Sequence, residues 1–67
     1  MNKQTVQFGY EVSEEEMVRL QLLQGVQEAI KVGTIVTLYY EHPPAKQEQD
    51  ALKKELRKQG GKIVAEI

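Results

Sequence analysis

The sequence predicts an α/β fold, as a single small two-layer domain with the element order β-α-β-α-β. Three observations lead to this prediction. A chain of 67 residues is long enough for one domain only, which we take to span residues 1–67. Residues 5–12, 34–40 and 62–67 have the alternating or β-branched apolar pattern of strands. Residues 14–32 and 45–59 have apolar residues at helical spacing and recognisable helix ends.

The first strand and the first helix follow each other directly. Residues 5–12 alternate between apolar and polar side chains, as a strand with one buried face does. Ser13 and Glu16 have the spacing of a capping box, so the helix is predicted to begin at residue 14. We expect it to run to about residue 32 with Gly25 in its middle, and to stop at Gly33.

The second half of the chain repeats this pattern. Residues 34–40 carry apolar residues on both faces, which favours the centre of a sheet. The second helix is predicted to begin at Pro44 or Ala45, since proline suits the first helical position. It ends at about residue 59, because Gly60 and Gly61 follow. The third strand covers residues 62–67.

The lengths of these elements favour a parallel sheet. Each helix is long enough to return the chain to the start of a parallel strand, and right-handed crossovers are strongly favoured. We therefore expect a three-stranded parallel sheet in the order 1-2-3, with both helices on one face. The order 2-1-3, with helices on opposite faces, fits less well because residues 5–12 alternate as a one-sided strand. Antiparallel pairing of one edge strand, or exchange of a strand between subunits, stays open.

The composition excludes several classes of site. The absence of cysteine excludes a disulfide framework, a thiolate zinc site and a cysteine nucleophile, and a single histidine excludes a histidine-rich metal site. No apolar run approaches the roughly 18–20 residues of a membrane span. Nine Lys and Arg against ten Asp and Glu argue against a dedicated nucleic-acid binder. We expect a cytoplasmic protein without cofactor or metal.

Apolar residues left over once the predicted core is filled indicate an interaction surface. They lie on the uncovered face of the sheet and on the outer side of the first helix: Ile35, Thr37, Tyr39, Val64, Met17 and Leu20. We favour the sheet face, because Tyr39 offers an aromatic anchor with a polar tip. A chain this short buries little surface on its own, which favours a homo-oligomer. The leading hypothesis is a protein-interaction or regulatory module that binds itself and another protein.

A basic cluster on the second helix and after it supports an alternative function. Its members are Lys53, Lys54, Arg57, Lys58 and Lys62. Such a patch suits contact with phosphates, as in a nucleic-acid-associated accessory protein. Basic residues near a helix end also simply complement the helix dipole.

A small enzyme with a site near His42 is the third hypothesis. The carboxyl ends of parallel strands would bring His42 and Glu41 close to Glu11 and Ser13. A histidine beside a carboxylate is the minimum for general acid–base chemistry. The sequence has no glycine-rich phosphate loop, so we rank this hypothesis last and assign no catalytic residue.

Overall fold

The computed structural model describes residues 2–66 and contains four strands and two helices; Ile67, predicted as part of the last strand, lies outside the described residues. The elements are β1 Asn2–Gln7, α1 Glu14–Gln21, β2 Val26–Val32, β3 Ile35–Tyr40, α2 Lys46–Gln59 and β4 Lys62–Glu66. The strands form one sheet in the order β2-β3-β1-β4, and all neighbours are antiparallel.

The predicted three-stranded parallel sheet is therefore wrong, and the chain is a small α+β domain. The sequence reading missed one strand, β2, inside what it took for the first helix. An additional strand reverses the direction of the chain, so that β3 runs antiparallel to β1 instead of parallel to it. The element order, with β3 between β1 and β2, is that of the split β-α-β arrangement of the ferredoxin-like type.

α1 begins where the sequence predicts and ends much earlier. The Ser13 side chain accepts a hydrogen bond from the Glu16 backbone N–H, and the Glu16 carboxylate accepts one from the Ser13 backbone, which completes the capping box. The helix ends at Gln21 instead of residue 32. A turn follows, in which the Val26 backbone N–H donates to the Leu23 carbonyl at 3.1 Å. Gly25 adopts a φ of 87° in this turn, a conformation that favours glycine.

A tight hairpin then joins β2 to β3. Only Gly33 and Thr34 separate the two strands, and Gly33 has a φ of 63°. Glycine first in a two-residue connection is typical of a type II′ hairpin turn. The glycine that the sequence reading took for a helix stop is therefore the turn between two paired strands.

Both helices pack on one face of the sheet and enclose the core there. The buried apolar residues come from strands, helices and the loop before α1: Val6, Phe8, Val12, Met17, Leu20, Ala29, Val36, Leu38, Tyr40, Leu52 and Leu56. The predicted exposure of Met17 and Leu20 is therefore wrong. By contrast, Val18 and Leu22 are 52% and 78% exposed, because α1 presents the side carrying Met17 and Leu20 to the core.

α2 ends where the sequence predicts, but it begins one or two residues later than the predicted Pro44 or Ala45. It begins at Lys46 after the N-cap residue Ala45, and its C-cap Gly60 has a φ of 80°. Leu52 and Leu56 face the core. β4 follows at once and forms one edge of the sheet, with its register shifted between Ile63 and Ala65 so that Val64 is the additional residue of a bulge.

Candidate functional site

The face of the sheet opposite the helices is uncovered, and we call it the open face. The strand registers place its side chains in three rows that run from β2 towards β4. The first row is Glu28, Tyr39 and Lys3; the second is Ile30, Thr37, Thr5 and Ala65; the third is Val32, Ile35, Gln7 and Lys62.

One corner of the open face is apolar and exposed. Ile30, Val32 and Ile35 are neighbours on β2 and β3, and they are 44%, 75% and 40% exposed. Thr37 and Tyr39 continue this surface and are half-buried. Single exposed apolar residues are normal, whereas a contiguous exposed group is a candidate contact surface.

The predicted interface residues fall in three places. Ile35, Thr37 and Tyr39 lie together on the open face, as expected. Val64 is 54% exposed, but it lies at the β4 edge in the bulge. Met17 and Leu20 lie in the core and are not accessible to a partner.

The sequence reading missed Ile30 and Val32, because it placed both residues in the first helix. A signal for them was present. β-branched residues alternate before Gly33, and the next β-branched run begins only two residues after Val32, which is a hairpin pattern.

A second surface is a groove between α2 and β4, which we call the basic groove. It has a volume of about 290 Å³ and is lined by Lys53, Leu56, Arg57, Gly61 and Ile63. Leu56 and Ile63 belong to the core or pack against it, so the floor is apolar. A Cβ atom at Gly61 would lie 2.6 Å from the Phe8 ring, so the chain can pass this closely only as glycine.

The predicted basic cluster divides between this groove and the open face, because Lys62 belongs to the third row of the open face. All five side chains are exposed, and Lys53 and Arg57 line the groove itself. Lys54 and Asp50 line an adjoining depression on the same helix. Among the lining residues that the structure describes, Asp50 is the only acidic one.

The predicted convergence around His42 is wrong. Because β1 and β3 are antiparallel, the end of β3 lies beside the start of β1, where the Asn2 side chain donates to the Glu41 carbonyl at 3.4 Å. Glu11 and Ser13 follow the other end of β1. His42 is exposed in the loop after β3, at the opposite end of β1 from Glu11 and Ser13.

Two tyrosines have perturbed pKa values, and both make internal contacts. The Tyr10 hydroxyl lies 2.6 Å from the Glu16 carboxylate and 2.5 Å from the Gln59 carbonyl. The contact with Glu16 raises the pKa of Tyr10 and lowers that of Glu16. Burial, and then the nearby Glu48 carboxylate, raise the pKa of Tyr40 to about 12. Neither tyrosine lines the open face or the basic groove.

Two further classes of site are absent from residues 2–66. This part of the chain brings no three His, Cys, Asp or Glu residues together in a way that would hold a metal ion. None of its helices has the length and the apolar character needed to cross a membrane.

Comparison with protein-family models, curated proteins and solved structures finds no match to this chain. The open face and the basic groove are therefore the two surfaces from which a function can be inferred.

Proposed function

We propose that this chain is a protein-interaction module that self-associates as a homodimer through the open face. The observation that carries the proposal is the exposed apolar corner formed by Ile30, Val32 and Ile35. Burying that corner against a second copy removes it from water, and burial contributes about 25 cal/mol for each Å² of apolar surface. The cytoplasmic location expected from the sequence is part of the same proposal.

The open face is complementary to itself in one particular orientation. It is close to square, because three strand spacings and four residue steps along a strand each span about 14 Å. Glu28 and Lys62 occupy opposite corners. Consider a two-fold axis that lies in the plane of contact, along the diagonal that starts at the Val32 corner. Rotation about this axis brings each Glu28 to Lys62 of the second copy.

The same axis matches the apolar side chains. Val32 lies next to the axis and meets its own equivalent, while Ile30 meets Ile35 of the second copy. The strands of the two sheets then cross at nearly a right angle, one of the two packing arrangements found for sheets in contact. An isologous contact of this kind closes at two subunits.

The size of the domain limits the strength of this dimer. The molecule measures 28 × 21 × 19 Å. One face of such a molecule supplies roughly 500 Å² to a contact, so the dimer buries about 1,000 Å² in total, the lower end for a specific interface. We therefore expect a dimer that dissociates at micromolar concentration.

Sedimentation equilibrium across the micromolar range tests the proposal. We expect Ile35→Arg or Val32→Arg to give a monomer with an unchanged circular dichroism spectrum, since both side chains are exposed. Leu22→Arg is the matched control, because Leu22 is 78% exposed on the helical side of the molecule. A wild-type protein that is monomeric at high micromolar concentration contradicts the proposal.

Exchange of the two corner charges tests the orientation. Glu28→Lys alone and Lys62→Glu alone each place like charges in contact and should weaken the dimer. The double variant restores both pairs and should recover the wild-type affinity. If the single variants weaken the dimer and the double variant does not recover it, the two copies meet in another orientation.

A further inference from the structure

We propose that the basic groove binds a short acidic segment of a partner protein, with an aliphatic side chain of that segment seated between the cations. The groove combines an apolar floor with a cationic margin. Its floor is formed by Leu56, Gly61 and Ile63, while Lys53 and Arg57 stand at its margin.

The position of the two cations fits a peptide. Lys53 and Arg57 are four residues apart on α2, so their side chains lie on one face of the helix, with Cβ atoms about 6 Å apart. Two acidic side chains of an extended segment can face this pair together. Lys54 and Lys58 extend the positive surface along the helix, and Asp50 ends it on the N-terminal side.

The apolar floor gives the peptide a second point of contact. The groove continues along β4 beside Val64 and Ala65, which are both exposed. A leucine or isoleucine between two acidic residues can occupy the floor while its neighbours face the cations. Arginine at the margin contacts a carboxylate through two parallel hydrogen bonds, which adds specificity to charge.

The structure favours a groove-bound peptide over a fifth strand on β4. The Val64 bulge interrupts the regular spacing of hydrogen-bonding groups along this edge. Bulges on edge strands are a common way to prevent further strands from pairing. The partner is therefore held mainly by side chains along α2.

The chemistry of the groove also favours a peptide over a nucleic acid. Single-stranded nucleic acids are usually held by aromatic side chains on which the bases stack. None of the described residues that line the groove is aromatic. An aliphatic floor offers nothing to a phosphate backbone, whereas it matches an apolar side chain.

Fluorescence anisotropy with labelled synthetic peptides tests the proposal. The probe is a short peptide that alternates glutamate and leucine, and its two controls replace glutamate by glutamine or leucine by serine. We expect saturable binding of the first peptide and clearly weaker binding of both controls. Equal binding of all three peptides, or no binding at high micromolar protein, overturns the proposal.

Substitutions locate the binding. The double variant Lys53→Gln/Arg57→Gln should lose about five- to tenfold in affinity, the effect expected for two exposed charge contacts. Arg19→Gln/Lys46→Gln removes two exposed cations outside the groove and should bind as the wild type does. Equal losses in the two double variants would show attraction to net charge only and would overturn the proposal.

Two further experiments distinguish peptide binding in the groove from nucleic-acid binding and from the dimer proposal. A labelled single-stranded DNA that binds more tightly than the acidic peptide, with a steep loss of affinity as salt rises, would show a nucleic-acid surface instead. The variant Ile35→Arg leaves the groove intact, so it should bind the peptide normally. Failure of the dimer proposal and failure of the groove proposal are therefore distinguishable.

Discussion

The Tyr10 hydroxyl connects the beginning of α1 to the end of α2. It contacts the Glu16 carboxylate, which also belongs to the capping box, and the carbonyl of Gln59, the last residue of α2. One exposed side chain thus reaches both helix termini. Its contribution to stability depends on the ionisation of two groups.

Removing this hydroxyl should change the pH dependence of stability in a defined window. The pKa of Glu16 is lowered from 4.5, so its contribution is present above pH 4.5 and is lost as the pH falls through the folded value. The pKa of Tyr10 is raised from 10.0, so its contribution is present below pH 10.0 and is lost as the pH rises through the folded value. We expect Tyr10→Phe to lower stability mainly between these limits.

Urea unfolding at a series of pH values measures this effect. Tyr39→Phe on the open face is the matched control, because it removes a hydroxyl from the opposite side of the molecule. A Tyr10→Phe protein with the same pH profile as the wild type would show that the contact contributes nothing in solution.

The Tyr40 hydroxyl presents the opposite case. It is buried, and it has no hydrogen-bond partner among residues 2–66. A buried polar group without a partner costs about 1–3 kcal/mol. We expect Tyr40→Phe to raise the free energy of unfolding by about 1 kcal/mol.

Alkaline unfolding provides a second measurement on the same variant. The pKa of Tyr40 is about 12 in the folded protein against 10.0 for a free tyrosine, so the wild type should lose stability as the pH rises from 10 to 12. The Tyr40→Phe protein should lose less over that range. A destabilised variant at neutral pH would show that the hydroxyl has a partner, such as a water molecule.

At the scale of elements, glycines mark the difference between the predicted and the observed fold. Gly25 in the middle of a helix would be a weak point, and Gly25→Ala would then stabilise the protein by about 1 kcal/mol. In the structure Gly25 has a φ of 87°, which strains any other residue, and a Cβ atom there would also require the Glu48 carboxylate to move. We therefore expect Gly25→Ala to destabilise the protein by about 1–3 kcal/mol.

The sign of this change decides between the two descriptions of residues 22–32. Gly33→Ala is a useful comparison, because Gly33 also has a positive φ but has no atom near its missing Cβ. It should cost less than Gly25→Ala. Thermal unfolding of both variants measures the difference, and a stabilised Gly25→Ala protein would contradict the turn.

Helix ends with specific signals were predictable, whereas the end of α1 and the bounds of β1, predicted as residues 5–12 and observed as Asn2–Gln7, were not. Ser13 and Glu16 identified the start of α1, while Gly60 identified the end of α2. The end of α1 had no comparable signal, because Leu22, Val26 and Ala29 continue the helical spacing by coincidence. Pairing with β3 holds Val26 and Ala29 in a strand. The spacing of apolar residues along a sequence does not indicate which strands will pair with one another.

At the scale of the whole molecule, the failure to predict β2 made the predicted relative directions of the strands wrong. Ile35, Thr37 and Tyr39 were correctly grouped, because strand alternation alone determines which residues share a face. The grouping of His42 with Glu11 failed, because it depended on parallel strands. Sequence reasoning was therefore reliable for which residues of β3 share the open face, but it missed Ile30 and Val32 of β2 and was unreliable for what lies at the ends of the sheet.

The arrangement of the sheet also sets an order of assembly. β2 and β3 are joined by two residues, so closing their hairpin costs little chain entropy. β1 lies in the middle of the sheet, and both of its partner strands are distant from it in sequence. Its Asn2 pairs with Tyr40, and its Gln4 pairs with Glu66. The hairpin and α2 are thus structures that depend mainly on contacts between residues close in sequence. Because β1 pairs with both β3 and β4, which are distant from it in sequence, we expect its docking to limit the folding rate, so that changes in β1 slow folding more than changes in β2.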